Sequence, residues 1–153
     1  MEKSKGIAFA LLALISVDAN AQTFEEIEAL NFGTIAVVRN DEPLRIVIDR
    51  AGNYSLSEGM YALVRGEPGI FRVSGFAGNT RFFITITPIQ NRTVTETVSP
   101  EQFTVVSYEH PPTITTNGFG ISEFKVGGIF ETSGSGTTNF IEKTYTARFR
   151  VSI

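Results

Sequence analysis

One histidine, no cysteine and no tryptophan stand among the 153 residues, and that inventory removes most routes to catalysis before spacing is considered. Thiol nucleophiles, disulfides and thiolate metal sites all need cysteine. A multi-histidine metal centre needs more than His110. A Ser-His-Asp arrangement would have to use His110 as its base. That residue lies between Glu109 and Pro111-Pro112 with no nucleophile elbow nearby, the setting of an exposed loop. Gly127-Gly128 and the pair Gly134 and Gly136 stand between strand-like runs, with no helix following them. They read as bulge and turn glycines, because a phosphate cradle needs a helix N-terminus behind it. Asn40-Asp41-Glu42 is a local acidic cluster without the spacing of an EF-hand loop, so it reads as a solvated hairpin turn. A peripheral calcium site near Asp41 stays open as the alternative. Paired carboxylates for glycoside hydrolysis can come from distant strands, but no tryptophan is present to line a sugar cleft. Tyr54, Tyr61, Tyr108 and Tyr145 are equally the aromatics of ordinary strands. The sequence thus assigns no catalytic residue, no cofactor and no metal ligand, and it points away from an enzyme.

The N-terminus speaks to compartment. Lys3 and Lys5 precede an unbroken small and apolar run from residue 6 to 17, and Ala19-Asn20-Ala21 places small residues at the −3 and −1 positions of a signal-peptidase site. Cleavage after Ala21 leaves residues 22–153 as one β-domain. The twelve-residue apolar run is too short for the roughly 20 residues of a spanning helix, and no later segment supplies one. Removal of residues 1–21 takes away two lysines and two acids, so the net charge stays at −3. That mild acidity offers no basic field for nucleic acid. The chain is expected to act in the periplasm, at the cell surface or outside the cell.

After Leu30 the dominant period is two. Leu44, Ile46 and Ile48 alternate with more polar positions, as do Phe82, Ile84 and Ile86 before Pro88. The longest such pattern is Tyr145, Ala147, Phe149, Val151 and Ile153, alternating with Thr146, Arg148, Arg150 and Ser152. One-sided strands read this way. Further strands are expected at 31–38, 59–64, 70–74, 93–98, 103–108 and 121–130. Turn-forming residues recur between them, such as Gly52-Asn53, Pro68-Gly69 and Asn117-Gly118. Phe24, Ile27 and Leu30 could form one helical turn or an irregular arm, since seven residues rarely hold a helix alone. The fold class is all-β, an antiparallel sandwich or barrel.

The C-terminal pattern matters most, because five alternating apolar side chains must be buried against something. It is a core strand of a complete sandwich, or a strand whose edge accepts another chain's strand, or the closing strand of a small outer-membrane barrel. Several candidate strands fall short of the roughly 9–11 residues that a membrane-spanning strand needs.

Three segments carry a resemblance. Leu30-Asn31-Phe32-Gly33-Thr34-Ile35 is similar to an "L-x-FG-T" opening. Ile70-Phe71-Arg72-Val73-Ser74-Gly75, with the run that begins at Arg81, is similar to an "F-x-V-x-G" centre. Phe124-Lys125-Val126-Gly127-Gly128, with Tyr145-Thr146-Ala147-Arg148-Phe149-Arg150-Val151, is similar to an "L-x-V-GG … Y-x-G-x-F-x-V" ending. This order resembles domain-of-unknown-function family 4402 (DUF 4402), a group of small exported bacterial domains. More distantly it resembles the pilin subunits of fibres assembled by chaperone and usher. The resemblance implies an Ig-like, pilin-like sandwich with a structural or adhesive role and no enzyme activity. It implies that Tyr145, Ala147, Phe149, Val151 and Ile153 form the strand that borders a groove, filled by another copy or by a pilin-like subunit. One segment departs from that pattern. A donor arm should be apolar and extended, yet residues 22–29 carry Glu25, Glu26 and Glu28, and burying a carboxylate costs several kcal/mol. A tip subunit or a self-complete domain would explain that departure. The functional expectation is an exported structural protein acting by strand-edge pairing. The alternatives are a secreted carbohydrate- or small-ligand-binding sandwich using exposed Tyr and Asn side chains, and the small membrane barrel.

Overall fold

Alternating apolar residues pay for strand formation by burying one face, and in this chain that rule produces strands alone. The computed structural model describes residues 22–153; the proposed leader, with Ala19 and Ala21, lies outside the described residues. In chain order the strands are β1 (Thr23–Glu28), β2 (Thr34–Val37), β3 (Arg45–Ile48), β4 (Tyr54–Leu56), β5 (Met60–Val64) and β6 (Gly69–Ser74). They continue with β7 (Arg81–Phe83), β8 (Thr85–Pro88), β9 (Thr104–Glu109), β10 (Thr113–Thr115), β11 (Ser122–Glu131) and β12 (Phe149–Ser152). No helix occurs among the described residues. The strands form one six-stranded sheet and the ribbons β2–β5, β7–β10 and β8–β12. They do not close into a barrel, and the architecture is that of an antiparallel β-sandwich.

Strand β11 organises the large sheet. Its first half pairs with β6, from Ser122 opposite Val73 to Val126 opposite Gly69. Its second half pairs with both β3 and β9, Gly128 lying opposite Ile48 and Tyr108. Gly127 and Gly128 therefore sit inside the strand expected over 121–130, and not between strands as their reading as bulge and turn glycines had it. Their role is close approach: a Cβ on Gly127 would lie 2.3 Å from the Ile48 carbonyl oxygen, and one on Gly128 would lie 3.0 Å from that of Ser107. Phe71, Phe124 and Phe130 point from β6 and β11 into the core. Phe130 meets Phe32 edge-on at 4.1 Å between ring centroids, and Phe71 meets Phe149 at 5.8 Å. Truncating one such buried ring typically costs about 3–5 kcal/mol.

Four sequence expectations change. Residues 23–28 form strand β1, in place of a helical turn or loose arm, because pairing with β6 satisfies their backbone and Phe24 packs on Phe71 at 5.5 Å. The run at 82–87 divides at Ile84, whose N–H donates to the Pro112 carbonyl; β7 then pairs with β10, and β8 with β12. Residues 93–98 make only an isolated bridge, Val94 with Thr146. Beside it the Thr93 hydroxyl accepts from the Phe103 N–H at 2.9 Å, a side-chain bond that competes with ladder formation. The long C-terminal pattern contracts to β12, because its partner strand loops out. Ile89 N–H bonds Arg148 and the next contact is Val94 with Thr146, so residues 90–93 bulge away.

Gly127 and Gly136 separate two kinds of glycine constraint. Gly136 has φ +85° with nothing within 4 Å of an added Cβ, whereas Gly127 lacks room. Gly136→Ala should cost about 1–2 kcal/mol from backbone strain alone, and Gly127→Ala about 3 kcal/mol from overpacking. Urea denaturation measures both, and equal costs would contradict the close-approach role of Gly127.

Candidate assembly edge

The alternating residues of the C-terminal segment divide into anchors and outward positions. Tyr145, Ala147, Phe149 and Val151 are buried, while Arg148, Arg150 and Ser152 are exposed. Ile153, expected to complete the buried row, is 45% exposed and lies beyond the strand. Tyr145 is fixed by its hydroxyl, which accepts from the Ile141 N–H at 2.8 Å and lies 3.0 Å from Ser99 Oγ. Its ring stands edge-on to Phe103 at 5.2 Å. Phe149 packs between Phe71 and Tyr108, whose centroid is 4.7 Å away. Along one edge β12 pairs with β8, Phe149 opposite Pro88 through Ser152 opposite Thr85. No other strand among the described residues pairs with β12. Beside it lies an orphan: the Tyr108 hydroxyl is fully covered and has no hydrogen-bond partner among the described residues, and burial pushes its pKa up.

The remaining chemistry-bearing residues stay apart. His110 lies in the link between β9 and β10, with Nδ1 2.8 Å from the Pro111 carbonyl. Asp41 and Glu42 both pair with Arg39, at 3.0 and 3.2 Å. Asn40 turns inward, away from that acidic pair. No group of three or more His, Asp or Glu side chains converges as metal ligands among the described residues. Tyr61, Phe83 and Phe119 are exposed on separate elements. The bulge at residues 90–93 opens a groove of about 630 Å³ in which the amides and hydroxyls of Gln90, Asn91, Thr95 and Gln102 stand beside the Arg92 guanidinium and the apolar Val94 and Val98, without an aromatic ring.

A family model described as a domain of unknown function, DUF4402, matches residues 22–153. The chain belongs to the DUF4402 family. No curated protein and no solved structure matches it. The match covers every described strand of this DUF4402 chain, from β1 to β12.

Sequence reasoning passed over one feature of this DUF4402 domain, a polar clamp that holds the long connection from β11 to β12. Asn40 Nδ2 donates to the Thr137 carbonyl at 2.7 Å and to Ser133 Oγ at 3.1 Å, while its Oδ1 accepts from the Gly134 N–H at 2.9 Å. The Glu101 carboxylate, itself buried, accepts from the hydroxyls of Ser133 at 2.5 Å, Thr137 at 2.7 Å and Ser135. Burial alone would raise the Glu101 pKa; the three hydroxyls and the nearby Arg92 charge outweigh it and leave the carboxyl below its ordinary value. The Ser-Gly-Ser-Gly run signalled a turn, but nothing local marks Glu101 as its partner.

Two predictions follow from these side chains. Because the folded pKa of Glu101 is depressed, its contribution to stability is present above the ordinary glutamate pKa of roughly 4.3 and is lost as pH falls through the folded value. Thermal unfolding of Glu101→Gln should therefore show a lower Tm at pH 7 and a flatter fall below pH ~4 than the parent chain. Tyr108→Phe removes the orphan hydroxyl and should be neutral or stabilising by up to about 1 kcal/mol. A clear loss of stability in Tyr108→Phe would mean that the hydroxyl has a partner.

Proposed function

We propose that this DUF4402 chain is an exported structural protein of the periplasm or cell surface, acting by β-strand pairing along β12. The observation that carries this reading is the one-sided pairing of β12, joined to β8 alone among the described strands. A strand added there would gain main-chain hydrogen bonds for affinity and alternate pockets for specificity. Phe149 makes β12 a rigid template and Tyr145 fixes the segment that leads into it, since both are locked into the core by ring contacts. The N-terminal segment supports the part of acceptor. Residues 23–28 already pair with β6 of their own chain, and Glu25, Glu26 and Glu28 face solvent. The incoming strand comes from another copy through a different segment, or from a pilin-like partner.

The test uses the full chain, expressed with its own N-terminal segment in a Gram-negative host and recovered from the periplasm. Light scattering after size exclusion should give a series of oligomers that survives unboiled SDS. Val151→Thr, which keeps the shape of a side chain only 8% exposed, should weaken that series, and Arg150→Glu on the outward face should leave it intact. A sharp monomer would overturn the proposal and turn attention to ligand binding, beginning with the groove at residues 90–102.

A further inference from the structure

Three strand edges in this chain differ in how they are guarded. Exposed edges normally carry charges, prolines or bulges that discourage pairing with other chains. β1 carries Glu25, Glu26 and Glu28, whereas β12 carries a single charge, Arg150. β5 has no charge and no proline between Met60 and Val64, and its one irregularity is a register shift against β2 at Leu63. Among the described residues it pairs only with β2, and Tyr61, Ala62, Leu63 and Val64 are all exposed, three of them at 62%, 56% and 59% for Tyr61, Leu63 and Val64. Val38, whose N–H donates to the Gly59 carbonyl, adds a further exposed apolar side chain alongside. A contiguous apolar patch on a free strand edge marks an interaction surface.

We infer that this edge pairs with the same edge of a second copy, strand β5 running antiparallel to its twin and extending the ribbon β2–β5 to four strands. The flanking charges select both partner and direction. Glu58 stands just before the strand and Arg65 just after it; both are exposed, and neither has a salt bridge among the described residues. Arg65 instead lies over the Tyr54 ring, 5.6 Å from its centroid. Antiparallel pairing brings each Glu58 to the Arg65 end of the other copy, whereas parallel pairing stacks like charge on like at both ends. The side chains also fit a two-fold axis at Ala62. The small Ala62 then meets its counterpart, and the exposed Tyr61 of each copy lies beside the exposed Leu63 of the other, the residue at which β5 shifts register against β2, an aromatic–aliphatic contact of the kind that stabilises sheets. Five residues bury far less than a standard interface, so the association is weak and matters where copies are crowded. It is separate from β12, and a chain using both edges could associate sideways as well as through β12.

The chain has no cysteine, so Ala62→Cys introduces one thiol on the proposed axis. Directly opposed Cβ atoms in an antiparallel pair lie about 4.5–5.5 Å apart, close enough for a disulfide after small adjustment. The full chain carrying Ala62→Cys, under mild oxidation, should form covalent dimers at least about tenfold faster than the chain carrying Phe119→Cys, a loop position 88% exposed; a tenfold ratio corresponds to about 1.4 kcal/mol. Adding Leu63→Lys should remove that advantage. Glu58→Arg or Arg65→Glu alone should slow cross-linking several-fold, and the two together should restore it. Cross-linking no faster than the Phe119→Cys control, or unaffected by Leu63→Lys, overturns the pairing. Failure of the double charge exchange to restore the rate overturns the antiparallel arrangement. None of these readouts depends on β12, so they stand whatever the oligomer series there shows.

Discussion

The absence of a side chain at Gly127 is the constraint on which the large sheet rests. The backbone of β3 comes so close that the Ile48 carbonyl occupies the space a Cβ would need. One residue later, β9 approaches Gly128 from Ser107. With both glycines in place, β11 joins β3 and β9 through its second half and β6 through its first. The phenylalanines of β6 and β11 then share one interior with Phe32 and Phe149. Ring against ring in that interior fixes the position of β12, so the C-terminal strand owes its placement to a gap in the middle of β11.

Much of this was legible in the residues. The period-two runs at 44–49, 70–74, 103–108 and 121–130 became β3, β6, β9 and β11 within a residue or two, because alternation records a half-buried pleat directly. The buried row of Tyr145, Ala147, Phe149 and Val151 was legible for the same reason. What could not be read depends on partners distant in sequence. Residues 23–28 have near-helical spacing, yet a waiting edge on β6 makes them a strand. Residues 93–98 have good strand composition, yet Thr93 spends its hydroxyl on Phe103. Glu101 looks like any surface carboxylate until the hydroxyls of residues 133–137 fold over it.

The same contrast runs through the candidate site. Which side chains of the C-terminal segment turn inward follows from their order in the chain. That β12 has β8 on one side and no described strand on the other is a property of sheet order, which no local pattern encodes. The clamp at Asn40 and Glu101 adds a related point. The connection leading into β12 is held by polar contacts to two separate loops, so the strand's approach is set by side chains that belong to neither β8 nor β12.

The pairing of β11 also dictates an order of events in time. Strands β3, β6 and β9, which it joins, all precede it in the chain. A polypeptide that emerges N-terminus first presents those strands, with their apolar faces, well before the strand that unites them. Sheets built from such distant pairings form slowly. Until residue 131 has emerged, the growing chain holds the pieces of a sheet without its centre, and during that interval it is most open to capture by a chaperone or by a stray strand.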